Sequence, residues 1–123
     1  MKYLGVDFGL KRVGLAISEG ELASPWKVIE GTGVNNLIEK IKVEAKDFDV
    51  VIIGMPENKM GEAVQKVINS LNKSGINIEA ADETLSSQDA VTLMVELGIS
   101  KKKRKVNDAH SAAIILQNYL DNR

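Results

Sequence analysis

The segment Val50–Gly54 is short, wholly apolar and flanked on both sides by amphipathic helical patterns. A strand without a polar side is typical of the centre of a parallel sheet, where helices cover both faces. The flanking patterns are long enough for the crossover connections that parallel neighbours require. This segment therefore predicts an α/β fold with a central parallel strand.

The first strands are separated by turns too short to hold a helix, so they are expected to pair antiparallel. The predicted strands are Lys2–Asp7, Arg12–Ser18, Trp26–Glu30, Val50–Gly54 and Ile76–Asp82. The predicted helices are Asn36–Lys46 with Asn35 as its cap, Glu62–Lys73, Ser86–Leu97 and Asp108–Leu120, with a basic loop over Lys101–Val106. The expected fold is a mixed five-stranded sheet, three antiparallel strands and then parallel strands, flanked by helices. The first, fourth and fifth strands should be neighbours.

Length and composition indicate one domain over residues 1–123, large enough for a hydrophobic core. The chain has no cysteine, which excludes disulfides and thiolate metal sites, and its single histidine excludes a zinc site of several imidazoles within one chain. No apolar stretch approaches the roughly 20 residues that span a bilayer, and the N-terminus lacks a signal pattern. We therefore expect a cytoplasmic protein without a membrane segment.

The formal net charge of −1 hides a local asymmetry. The run Lys101, Lys102, Lys103, Arg104 and Lys105 holds five of the 16 basic residues, which leaves 11 basic against 17 acidic residues elsewhere, a balance of −6. A general basic coat for nucleic acid is absent, so phosphates would have to bind locally. This run is either a solvated loop or a phosphate contact.

Asp7 is a carboxylate at the end of the apolar first strand. Burying an ionised carboxylate without a partner costs several kcal/mol. Asp7 therefore indicates a bound cation, a strong hydrogen-bond network or a catalytic role. The alternative is a structural acid that accepts hydrogen bonds from nearby amides.

Two further acids are expected near Asp7. Glu83 follows the fifth strand, and Asp108 opens the last helix on the face that also carries Ala112, Ile115 and Tyr119. Three such carboxylates suit magnesium or manganese rather than zinc or copper. Each of these two acids also has a non-catalytic explanation. Glu83 could be a solvated residue at the end of a strand, and Asp108 could be a negative charge favoured by the dipole at the start of a helix.

Four blocks of the sequence together resemble a known family over nearly the whole chain. They are Gly5–Ala16, Val51–Asn58, Asp82–Ser87 and Asp108–Leu120. The chain resembles the YqgF family of ribonuclease H-like nucleases, which are described as Holliday-junction-resolvase-like or as nucleases that mature the small-subunit ribosomal RNA precursor. The resemblance implies a ribonuclease H-like fold and a divalent-metal site, with Asp7, Glu83 and Asp108 at the catalytic and metal-binding acidic positions.

The chain departs from this family at two positions. Thr84 stands where the family usually has arginine, and Met60 where it often has aspartate. A missing arginine removes a bidentate phosphate contact. Lys11, Arg12 or the basic run Lys101–Lys105 are the candidates to replace it, and Asn58 is either a turn residue or a further phosphate contact.

The favoured hypothesis is a metal-dependent endonuclease, with Mg²⁺ or Mn²⁺ held between the carboxylates and a phosphodiester of structured RNA or branched DNA. One alternative is a catalytically silent nucleic-acid or protein adaptor on the same fold. Another is an actin-like or sugar-kinase-like nucleotide-binding lobe, because Asp7-Phe8-Gly9 fits an Asp-x-Gly turn. Monomer and homodimer both remain open, although symmetric junction cleavage would need two active sites.

Overall fold

The computed structural model describes residues 1–55, 61–82 and 104–122. The strands in this part of the chain are β1 (Tyr3–Phe8), β2 (Arg12–Ser18), β3 (Ser24–Glu30), β4 (Val50–Met55) and β5 (Ile78–Asp82). The helices are α1 (Val34–Ala45), α2 (Gly61–Lys73) and α3 (Arg104–Asp121). None of the helices described is both long and apolar enough to cross a membrane.

The five strands form one mixed sheet in the order β3-β2-β1-β4-β5. The pairs β1/β2 and β2/β3 are antiparallel, whereas β1/β4 and β4/β5 are parallel. The prediction of a mixed sheet in which the first, fourth and fifth strands are neighbours is confirmed. Because β1, β4 and β5 are parallel, their carboxyl ends lie at the same edge of the sheet.

Helices cover both faces of the sheet, and β4 shows this most clearly. Val51 and Ile53 belong to one buried cluster, and Val50 and Ile52 to another. On the first face the strands pack against apolar residues of α1 and α2, among them Leu37, Ile41, Val64, Val67 and Leu71. On the second they pack against Ala112, Ile115, Leu116 and other residues of α3. Both sides of β4 are therefore apolar because each faces a helix.

Helix α3 lies very close to the sheet at Gly5. A Cβ placed on Gly5 would lie 2.8 Å from Leu116 Cβ and 2.9 Å from the carbonyl oxygen of Ala112. Gln117 also ties this helix to the connection between β2 and β3, since it accepts a hydrogen bond from Ala23 N at 2.8 Å and donates one to Glu21 O at 2.8 Å. Because Gly5 on β1 and Ala112 on α3 are small, the helix can lie this close to the strand.

The last helix begins four residues before its predicted start. Arg104, Lys105 and Val106 are helical, so the prediction of a loop over Lys101–Val106 is wrong from Arg104 onward. Arginine and lysine are good helix formers, and a run of charge is no barrier to a helix whose apolar face is buried further along. Asp108 therefore lies beyond the first turn and does not open the helix.

Smaller differences concern element ends. Helix α1 begins at Val34 after Gly33 and has no side-chain cap, so the predicted cap at Asn35 is wrong. Instead, the side chain of Asn36 accepts a hydrogen bond from Thr32 N at 3.1 Å. Strand β3 begins at Ser24 and includes Pro25, which an edge strand tolerates. The predicted helix Ser86–Leu97 lies outside the described residues.

Candidate active site

Gly14 has Asp7 as its register partner in β1 and the backbone of Asp108 against it, on the face of the sheet that α3 covers. Asp7 is the register partner of Gly14 in the β1/β2 pair. A Cβ placed on Gly14 would lie only 1.8 Å from the carbonyl oxygen of Asp108 and 2.2 Å from its carbonyl carbon. The backbone of Asp108 therefore lies directly against Gly14, the residue paired with Asp7. Two acids that are far apart in sequence thus both adjoin Gly14.

Neither acid is sealed in the core. Asp7 is half-buried, in contrast to Val6 and Phe8 on either side of it, which are buried. The side chain of Asp108 is 27% exposed. Partial exposure near the carboxyl end of β1 leaves these carboxylates accessible to an ion or a substrate phosphate.

Arg12 forms an ion pair with Asp108. Its Nε donates to Asp108 Oδ2 at 2.7 Å, and the Arg12 side chain is 43% exposed. Arg12 and Gly14 are two positions apart in β2 and so point to the same face of the sheet. The guanidinium consequently reaches across Gly14 to the acid above it.

The backbone of Arg12 is fixed by the turn between β1 and β2. Gly9 N donates to Arg12 O at 3.0 Å, and a Cβ on Gly9 would lie 2.7 Å from that oxygen. Arg12 is also the register partner of Glu30 in β3. The backbone from which the Arg12 side chain extends is thus fixed by a tight hairpin.

Lys11 precedes Arg12 in the same turn and is exposed. Its carbonyl oxygen accepts a hydrogen bond from Gly31 N at 3.2 Å. An open cleft of about 580 Å³ lies beside this turn. Its lining residues are Leu10, Lys11, Arg12, Glu30, Gly31, Thr32 and Gly33. Two of the predicted phosphate-binding residues therefore border a concave surface next to Asp108.

Comparison with known proteins identifies the family. The sequence model of the RuvX family, described as Holliday junction resolvase, matches residues 1–122. The chain belongs to the RuvX family. This confirms the resemblance on which the site residues were chosen.

Sequence relatives cover nearly the whole length of this RuvX-family chain. A protein of Endomicrobium trichonymphae is 35% identical over 98% of this chain and 95% of its own length. A protein of Maridesulfovibrio salexigens is 36% identical over 98% of both chains. Each carries the name "Putative pre-16S rRNA nuclease".

Solved structures support the ribonuclease H-like fold. The fowlpox virus Holliday junction resolvase superposes with a TM-score of 0.64 at 14% identity, over 99% of both chains. Thermus thermophilus RuvC in complex with a Holliday junction substrate superposes with a TM-score of 0.58 at 16% identity, over 100% of this chain and 95% of that one. At these identities the likeness establishes the fold alone.

The donor set at this site fits a hard divalent cation. Asp7 and Asp108 offer carboxylate oxygens, the ligands that magnesium and manganese prefer. Within the described part of the chain no three acidic or histidine side chains gather as a metal cluster. Glu83, the third predicted acid, lies outside the described residues, directly after the last residue of β5. The described part of the chain thus contains two of the three acids that the sequence resemblance predicts as metal ligands.

The remaining predicted contacts are only partly described. Asn58, Lys101, Lys102 and Lys103 lie outside the described residues, and Arg104 and Lys105 form the first turn of α3. Arg12 was predicted to contact phosphate, and its ion pair with Asp108 was not predicted. The close contact of Gly14 with the Asp108 backbone was not predicted either. A glycine two residues after an arginine in an otherwise apolar strand was the available signal.

Proposed function

We propose that residues 1–123 form a single divalent-metal-dependent nuclease domain that hydrolyses phosphodiester bonds during maturation of the small-subunit ribosomal RNA precursor. The observation that carries this proposal is that Asp7 and Asp108 both adjoin Gly14 in a chain of the RuvX family. Relatives with 35–36% identity bear the name of pre-16S rRNA nuclease, which supports the choice of substrate. Such a role would place the protein in the cytoplasm.

Asp7 and Asp108, together with Glu83, would hold Mg²⁺ or Mn²⁺. A bound divalent ion supplies an activated water at neutral pH and stabilises the charge that develops on the phosphate. The carboxylates hold the ion through their charge and take no part as nucleophiles. Lys11 at the rim of the cleft, Asn58 and the basic run Lys101–Lys105 are the groups proposed to hold the nucleic-acid backbone.

Branched DNA is the second candidate substrate, since the matching family is described as Holliday junction resolvase. Cleavage of a junction at two symmetric positions would need two active sites, and hence a homodimer. The adaptor alternative rests on Thr84, which lacks the guanidinium of the family arginine. Family membership removes the basis for the nucleotide-binding lobe.

The test is a cleavage assay on two substrates, a 5′-extended 16S rRNA precursor transcript and a four-way DNA junction. Each is incubated with purified protein in Mg²⁺, in Mn²⁺ and in a chelator, and Asp108→Asn serves as the check for contaminating nuclease. Metal-dependent cleavage of the RNA that Asp108→Asn abolishes would support the proposal. Cleavage of the junction alone would favour DNA, and binding of either substrate without cleavage would favour the adaptor.

A further inference from the structure

The ion pair between Arg12 and Asp108 has a consequence for the proposed metal site. Asp108 is one of the acids assigned to the divalent ion, yet its Oδ2 accepts a hydrogen bond from Arg12 Nε at 2.7 Å. The guanidinium occupies one lone pair of this oxygen and places a positive charge beside the carboxylate, and both effects disfavour a cation at Asp108. Arg12 and the ion therefore oppose each other at Asp108.

We propose that Arg12 is the resident counter-ion of Asp108, which a divalent ion must displace, so that Arg12 sets the metal affinity of the site. This inference rests on the proposed function, because it takes Asp108 to be a metal ligand. It makes Arg12 a positioning residue that acts through Asp108.

The geometry of the pair favours replacement of Arg12 by a divalent ion at Asp108. The pair is joined by a single hydrogen bond, through Nε, rather than by the bidentate fork that gives the strongest arginine–carboxylate pairs. The two side chains are 43% and 27% exposed. Exposed pairs of this kind are weak, and water can solvate both partners after they separate. A divalent ion can therefore replace Arg12 at modest cost.

The backbone on both sides of the pair is held in place, so only the side chain of Arg12 has to move. The hairpin hydrogen bond from Gly9 N fixes the Arg12 carbonyl, and Gly14 fixes the Asp108 backbone. Arg12 also borders the open cleft beside Lys11, which offers space for a released guanidinium. Arg12 thus contacts Asp108 and also lines this cleft.

The decisive measurement is the affinity for Mn²⁺ alone, by calorimetry at low and constant ionic strength, without nucleic acid. Arg12→Gln should bind Mn²⁺ about two- to fivefold more tightly than the wild type, the range expected from a weak exposed ion pair. Lys11→Gln is the matched control, since it removes one positive charge from the adjacent residue. Its Mn²⁺ affinity should stay close to that of the wild type.

The outcomes separate this inference from the proposed function. Unchanged or weaker Mn²⁺ binding by Arg12→Gln would overturn the inference, and so would equal tightening in Lys11→Gln, which would indicate a general charge effect. Loss of Mn²⁺ binding in Asp108→Asn would support Asp108 as a metal ligand, whatever the affinity of Arg12→Gln. If Asp108→Asn binds Mn²⁺ as the wild type does, Asp108 is no ligand and both proposals fail at this residue.

A second measurement needs no substitution. The Nε–H signal of Arg12 in nitrogen-15 NMR reports directly on its hydrogen bond to Asp108. Titration with Mg²⁺, which is diamagnetic, should shift this signal towards that of a solvated arginine in step with metal binding. A signal that stays in place while the site fills with Mg²⁺ would overturn the exchange.

Discussion

Gly14 of β2 lies directly against the backbone of Asp108 in α3, where an added Cβ would come within 1.8 Å of the Asp108 carbonyl oxygen. The obstruction is backbone rather than the end of a flexible side chain, so neither element can relieve it by a change of rotamer. The spacing between β2 and α3 at the acid site therefore requires glycine at this position.

Gly14→Ala should accordingly destabilise the protein by about 3 kcal/mol or more, at the upper end of what overpacking costs. The first half of α3 would have to lift, which moves Asp108 away from Asp7. We expect a lower urea midpoint and, in any folded fraction, weaker Mn²⁺ binding. Both are measurable by circular dichroism and calorimetry.

Gly20→Ala is the matched control for this substitution. Nothing lies within 4 Å of a Cβ placed on Gly20, and its backbone is not left-handed. Its stability should stay within about 0.5 kcal/mol of the wild type, as for most surface substitutions. If Gly14→Ala were as stable as Gly20→Ala, the close contact between β2 and α3 would be contradicted.

The sheet was predictable because its signals are local. The all-apolar segment Val50–Gly54 could only be buried on both faces, and the short turns of the opening strands required antiparallel pairing. Gly75, two residues after the end of α2, has the positive φ of 81° typical of the residue that follows a helix. Such features depend on a few neighbouring residues.

The details of the site were not predictable in the same way. Arg12 and Asp108 are 96 positions apart, and their ion pair depends on how closely α3 approaches β2. That approach is set by Gly14, whose role is visible only when the facing helix is in place. The early start of α3 was missed for a related reason, since its first turn continues a helix that packing stabilises further along.

Asp7→Asn should abolish metal-dependent cleavage while the protein stays folded. The amide keeps the shape of the side chain but loses the charge that holds the ion. Altering an outer-shell partner of a metal typically costs 10–100-fold, so loss of a ligand should lower the cleavage rate by at least about 100-fold. The measurement is single-turnover cleavage of the precursor transcript in Mn²⁺, with circular dichroism to verify the fold.

Asp47→Asn makes the same chemical change at an exposed residue just after α1. It should cleave at the wild-type rate. Retained metal-dependent cleavage by a pure, folded Asp7→Asn sample would count decisively against the assignment of Asp7.

Tyr119→Phe should weaken the attachment of α3 to β5. The Tyr119 hydroxyl donates a hydrogen bond to Glu79 Oε2, and the ring also contacts Tyr3 with centroids 6.2 Å apart. Phenylalanine keeps the ring and loses the donor, so the free energy of unfolding should fall by about 1 kcal/mol. Urea unfolding of Tyr119→Phe, Glu79→Gln and the double variant measures the coupling between the two residues. Strictly additive effects would show that the hydrogen bond contributes nothing to stability.

The basic run Lys101–Lys105 ends in the first turn of α3. Replacing Lys101, Lys102 and Lys103 by Gln should weaken nucleic-acid binding and flatten its dependence on salt, because fewer counterions are released. Each lost phosphate contact should reduce the slope of log affinity against log salt by about 0.9 on duplex substrate. The cleavage rate at saturating substrate should change little, since the proposed metal ligands remain.

The control variant replaces three exposed lysines at the end of α1 and on α2, Lys46, Lys66 and Lys73, with Gln. It makes the same change in net charge on the face of the sheet away from α3. Both variants are titrated with a fluorescent four-way junction over a range of salt, in the Asp7→Asn background to prevent cleavage. We expect the control to keep the wild-type slope. Equal slopes in the two variants would show that the basic run does not touch phosphates, which would leave Lys11 as the better candidate.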